Sequence, residues 1–159
     1  MEVVYLIFNE GYAATAGDDW LRPELCEEAM RLWRLQAAIA GCHARARAPE
    51  ETDWVRIVAL YDGLVELTGS PVVELNRAVA VSMAYGPTEG LSLVDELADD
   101  PALRDYHLLP AVRGDLLLKL GRRAEAKAEL EKAAHMTTNA RERNLLLARA
   151  ANCISAEDT

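Results

Sequence analysis

Chemistry in this sequence would have to come from a few polar residues set in apolar helices. The stretch Met1 to Phe8 is almost wholly apolar, and it breaks into Asn9, Glu10, Gly11 and Tyr12. Glu10 is the best single candidate for a buried acid. Acid–base or nucleophilic catalysis needs a second group within reach, and none stands nearby in sequence. His43, His107 and His135 are far apart and form no His-x-x-x-His or Glu-x-x-His pair, so they make no metal motif. Cys42 and His43 are adjacent, and on a helix they point about 100° apart, which no nucleophile–base pair tolerates. Asp18–Asp19 and Asp99–Asp100 precede prolines, where helix N-termini favour negative charge without catalysis. Glu27–Glu28 and Glu50–Glu51 read as solvated or first-turn acids. There is no phosphate loop, Gly-x-Ser-x-Gly elbow or Cys-x-x-Cys. We expect no enzyme, no metal and no cofactor.

Two further polar spots stand out. Glu74, Asn76 and Arg77 interrupt the apolar run SPVVELNRAVAV. Buried polar groups need partners, so Asn76 and Arg77 are expected to bond neighbouring helix ends, or else to form a recognition spot on a concave face. Tyr106 and His107 enter a helical hairpin, where packing is the expected role. Trp20, Trp33 and Trp54 are expected between helices rather than as a platform for bases, because stacking platforms come with a positive groove.

Stepping out to the whole chain, 159 residues suit one domain with a real core. The net charge of −9 argues against a nucleic-acid face, which needs Lys and Arg for phosphates. Cys26, Cys42 and Cys153 have no regular spacing, so free cysteines in a reducing cytoplasm are expected. The first apolar run lacks a basic leader region and falls short of the ~20 residues that span a bilayer. The expected location is the cytoplasm, without membrane contact.

The elements that must position these residues are helices. Ala, Leu, Glu and Arg dominate and strand-like alternation is nearly absent. Pro23, Pro71, Pro87 and Pro101 suit first helical positions. Ser70, Asp100 and Asp53 suit N-caps, and Asn139 with Glu142 has capping-box spacing. The spacing predicts helices over about 2–14, 23–47, 53–67, 71–84, 87–98, 106–120, 122–135 and 139–153, with a short turn at 101–104. Ala78, Val81, Gly90, Val94 and Leu97 recur 36 residues later as Gly114, Leu117, Ala126, Leu130 and Ala133. Small residues let helices cross closely and large ones fill the groove beside them. Gly121 suits a helix C-cap. This is the pattern of tetratricopeptide-like hairpins, whose usual period is about 34 residues. The expected fold is all-α: antiparallel hairpins stacked as a tetratricopeptide-like right-handed solenoid, in a single domain. Residues 1–32 form an N-terminal hairpin and 33–159 the repeats. The last helix, with Leu145, Leu146, Leu147, Ala150 and Ile154, caps the stack.

Three stretches together resemble a known family. YLIFNEGYAATAG, LQAAIAGCHARA and the block from DWVRIVALYDGLVELTGSPVVELNRAVAV through DYHLLPAVRGDLLLKLGRRAEAKAELEKA are similar to the C-terminal extension of extracytoplasmic-function type bacterial RNA polymerase sigma factors. Sigma regions two and four, which recognise the promoter in that family, are absent from this sequence, so DNA would be reached only through them. The resemblance implies a regulatory, protein-interaction role toward the sigma regions or core polymerase. It also implies that Asn9, Glu10 and Tyr12 sit at the junction with the DNA-binding regions, as polar anchors. Relatives carry further helices between the segments that here meet at Leu32–Trp33. About two hairpins are missing there, either through a native deletion or because the sequence joins two parts of a longer chain. A continuous chain then predicts one unbroken helix from Pro23 to Arg47, and apolar surface at the seam suited to a homodimer. The alternatives are a free-standing adaptor that binds a peptide or protein, and a small-molecule sensor or enzyme with a pocket near Glu10, Asn76 or His107.

Overall fold

Prolines and caps set where the helices begin. In a computed structural model of the protein, residues 23–153 are described, apart from the side chains of residues 23–26. The expected helix over 2–14, with Asn9, Glu10 and Tyr12, lies outside the described residues. Within them the helices are α1 (Pro23–Arg45), α2 (Trp54–Thr68), α3 (Pro71–Ala84), α4 (Pro87–Glu96), α5 (Leu108–Lys119), α6 (Arg123–Met136) and α7 (Ala140–Asn152), with 3₁₀ turns at Pro49–Glu51 and Pro101–Leu103. Helices in sequence are neighbours in space from α1 through α7. The fold is an all-α helical repeat.

Local chemistry explains most boundaries. Asp53 accepts from the Arg56 amide at 3.0 Å, and Asp100 accepts from the Ala102 amide at 2.8 Å. Gly121, at φ 76°, ends α5: the Arg122 amide reaches Leu117 O at 2.9 Å and the Gly121 amide reaches Leu118 O at 3.0 Å. That is a Schellman closure, in which glycine is favoured by its missing Cβ. Pro110 sits in the first turn of α5, where its absent N–H costs nothing. Two expected caps differ. The Ser70 side chain makes no cap bond; its amide instead donates to Thr68 Oγ1 at 3.3 Å, because the preceding turn is held from the Thr68 side. Asn139 caps α7 through the Arg141 and Glu142 amides at 3.0 and 3.4 Å, but the Glu142 carboxylate does not return to close the box. It is used elsewhere, as shown below.

The hairpins close on small residues. A methyl group built on Gly90 of α4 would lie 2.5 Å from Ser82 Cβ and 3.0 Å from Ala78 O on α3. One built on Gly114 of α5 would lie 2.9 Å from Leu130 Cγ and 3.2 Å from Ala126 O on α6. The α3–α4 and α5–α6 hairpins therefore each pair one glycine with one alanine at the crossing, and the two exchange sides between them. Beside the crossings, Val94, Leu117 and Leu130 are fully buried, each worth roughly 1.5–3 kcal/mol relative to exposure. Helix α3 is shared by two cores. Leu75 and Ala78 face the α4–α7 core, while Ala80 and Val81 join Ile39, Cys42, Ile57, Val58 and Leu64 of α1 and α2.

Helix α1 is unbroken across Leu32–Trp33, as a continuous chain requires. At ~1.5 Å per residue it is about 34 Å long against about 22 Å for α2, so its N-terminal part runs past its partner. Position 35, which lies 36 residues before Pro71, falls just after that junction. The buried residues Ile39 and Cys42 lie within the repeat frame that starts there, whereas Glu27 to Arg31 are exposed. Cys42 and Cys153 are free and buried; the side chain of Cys26 lies outside the described residues. The capping role expected of α7 is met on one side only. Leu146 and Ala150 are buried, but Leu145 and Leu147 are exposed.

Gly90→Ala should cost about 1–3 kcal/mol, because helix backbone must move to admit the methyl. Gly41→Ala, with nothing within 4 Å of the new methyl, should be neutral or stabilising by up to about 1 kcal/mol. Thermal melts of the two variants check the contrast; equal melting temperatures would refute the close-crossing account.

Candidate interaction surface

The polar residues singled out in α3 have separate fates. Arg77 Nε donates to Asp62 Oδ1 on α2 at 2.5 Å, so its partner is a side chain in mid-helix, not the helix end expected. The same arrangement recurs. Arg113 lies 36 residues after Arg77, and Arg149 another 36 on, each immediately before a small residue of the repeat. Arg113 Nε donates to Asp95 Oδ1 on α4 at 2.8 Å and its Nη1 to Glu129 Oε1 on α6 at 2.7 Å. Arg149 pairs with Asp115 on α5. This column of arginines was readable from the sequence as an extension of the 36-residue period, and motif reasoning passes over it because arginine carries no catalytic signature. The pairs are partly exposed, so each is worth at most about 1 kcal/mol. The hydrogen bond that Arg113 donates to Asp95 leads in raising the Arg113 pKa above its ordinary value. All three guanidinium groups are committed to the fold.

Glu74 and Asn76 differ. Both are half-buried, and neither side chain has a hydrogen-bond partner among the described residues. Their counterparts 36 residues later, Pro110 and Val112, are apolar and buried. Here α3 departs from the pattern of its own repeat.

The surroundings form one face. Helices α3 and α5 approach directly, whereas α2, α4 and α6 have no comparable contact with each other among the described residues. Lys119 Nζ of α5 lies 3.8 Å from Met83 Sδ of α3, and Asp115 of α5 reaches Arg149 of α7. The first helices of successive hairpins thus line the tighter, inner side of the stack. Asn76 and the exposed Met83 lie seven residues apart on one stripe of α3, with Asp115, Lys119 and Arg149 following across α5 and α7. The result is an open, mixed polar and apolar surface.

His107 has a structural role. Its Nε2 lies 2.9 Å from Glu142 Oε1, and Thr137 Oγ1 donates to Glu142 Oε2 at 2.6 Å. Arg143 donates to Thr137 O at 2.8 Å and to Ala134 O at 3.3 Å. The start of α5, the end of α6 and the start of α7 are tied by this knot. Tyr106 stacks obliquely beside His107, with centroids 6.1 Å apart. His43 packs edge-on to Trp54 at 5.3 Å between α1 and α2, while Trp33 remains exposed on α1. Trp20 lies outside the described residues. Among the described residues no three His, Cys, Asp or Glu side chains gather as a metal site. Among the described residues a hollow beside Asp99, Arg104 and Lys132 is about 190 Å³ and open. No described helix is long and apolar enough to cross a membrane.

Comparison with known proteins adds scale. Residues 1–49 match a family described as a family of unknown function (DUF6596). An uncharacterized protein of Rhizobium meliloti (strain 1021) is 32% identical over 212 residues, taking in 88% of this chain and 50% of that protein. The chain thus spans about half the length of this relative. Since 88% of 159 residues is about 140, about 72 of the 212 aligned positions have no counterpart here. That difference equals two periods of 36. No solved structure matches.

Glu142→Ala should cost about 1–3 kcal/mol by stripping two partners from a partly buried knot. The loss should be local at first: hydrogen exchange should quicken in α7 well before α3 or α4. Uniform acceleration across all helices would refute the assignment.

Proposed function

We propose that this chain is a regulatory, protein-interaction domain of an extracytoplasmic-function type sigma factor, acting in the cytoplasm on the sigma regions or core polymerase. The observation that carries the reading is the 36-residue helical repeat. It holds the described stretches that resemble the sigma-factor extension, from LQAAIAGCHARA onward, on one continuous stack, with an open inner face. Asn76 is polar on that face where the next repeat has the apolar Val112, and no hydrogen bond among the described residues uses its side chain. Recognition rather than chemistry suits such a residue: it offers hydrogen bonds, and among the described residues no nucleophile, base or enclosed pocket stands beside it. The stretch of about 72 positions found only in the relative fits a loss of two whole hairpins. We place that loss at Leu32–Trp33, because the repeat frame begins just after it.

The test is retention of this domain by purified sigma regions two and four, and by core polymerase. Binding is expected, and Asn76→Ala should weaken it about fivefold, near 1 kcal/mol, without changing the melting temperature. Absence of binding to either partner, together with unchanged transcription on deleting the domain from a full-length sigma factor, would overturn the reading.

A further inference from the structure

The repeat period sets what each first helix should bury. Ile39, Leu75, Ala111 and Leu147 hold the same position, 36 residues apart. In α1, α3 and α5 this position is 2%, 0% and 6% exposed; Leu147 of α7 is 40% exposed. The physical difference is the next helix. Leu75 shares a helix face with Ala78, and Ala78 meets Gly90 of α4 at the crossing. Among the described residues no helix packs back over the corresponding face of α7, which presents Asn144 and Leu147.

The hairpins also show what kind of helix fits. The second helices α4 and α6 bring a small residue to the crossing, a large aliphatic four positions on, and an apolar residue three further: Gly90, Val94 and the C-cap Leu97 of α4, then Ala126, Leu130 and Ala133 in α6. Charge narrows the choice. Helix α7 carries Arg141, Arg143 and Arg149 against Glu142 alone. Arg143, Arg149 and Glu142 are engaged inside the domain, whereas the Arg141 side chain is exposed and has no partner among the described residues.

We infer that the open face of α7 docks an amphipathic, acidic helix from a protein partner, antiparallel to α7, with the small–aliphatic–apolar spacing of this protein's own second helices. A second copy would set one arginine-rich α7 against another, which disfavours self-association. The surface is separate from the Asn76–Met83 stripe of α3, so loss of one interaction leaves the readout of the other intact.

The probe is a fluorescein-labelled peptide with the sequence of residues 86–100, GPTEGLSLVDELADD, which has both the spacing and the acidic flank. Fluorescence anisotropy with the full chain at low salt should show saturable binding. Leu147→Glu should weaken it at least tenfold, about 1.4 kcal/mol. Arg141→Glu should weaken it by about threefold, as an exposed charge pair does. The exposed Asn144→Glu gives a second variant on the same face, and far-ultraviolet circular dichroism checks that each folds. A peptide carrying Val94→Asp should not bind. The inference fails if the peptide binds Leu147→Glu and Asn144→Glu as tightly as the parent chain. It also fails if no binding is seen to about 1 mM, or if the parent chain sediments as a dimer that Leu147→Glu dissociates.

Discussion

The close crossing of two helices at one glycine and one alanine is the contact on which the rest of the stack depends. At Ala78 with Gly90, and again at Gly114 with Ala126, there is no room for another methyl. Backbones brought that near let Val94, Leu117 and Leu130 fill the grooves beside the crossing completely. Only the sum of the two side chains is constrained, so glycine and alanine can trade places between hairpins. The period of 36 residues follows from repeating this contact.

Polar ties act on a second level, between elements rather than within hairpins. Arg77, Arg113 and Arg149 recur with the period, each next to a small residue of the repeat: Ala78, Gly114 and Ala150. Their partners differ. Arg77 and Arg113 reach the preceding second helix, through Asp62 and Asp95, whereas Arg149 reaches Asp115 on the preceding first helix. At α7 the knot of His107, Thr137 and Glu142 joins this pairing. The last helix of the described stack is thus held by polar contacts as well as by Leu146 and Ala150, while the face bearing Leu147 stays open.

Repeat arrays tolerate changes in length if whole units are gained or lost, because each unit touches only its neighbours. The difference of about 72 aligned positions from the relative has the length of two units. Helix α1 continues as one helix through Leu32–Trp33, yet only its part within the frame buries Ile39 and Cys42, and Met30 and Trp33 stay exposed. A helical repeat whose length varies by whole hairpins keeps its inner face while changing its reach.

Much of the architecture was legible in the sequence because its causes are local. Pro71, Pro87 and Pro101 begin elements through their fixed φ, Gly121 ends α5 through its left-handed φ, and the small residues at 78, 90, 114 and 126 mark the crossings. The partner of a polar side chain was not legible, because it depends on which helix lies across the groove. Tertiary packing alone sent Arg77 to Asp62, drew Glu142 away from its capping box to His107 and Thr137, and left Glu74 and Asn76 without partners among the described residues. It also decided that Leu147, alike in type and register to Leu75, stays exposed. Burial belongs to a pair of surfaces, and a sequence position specifies only one of them.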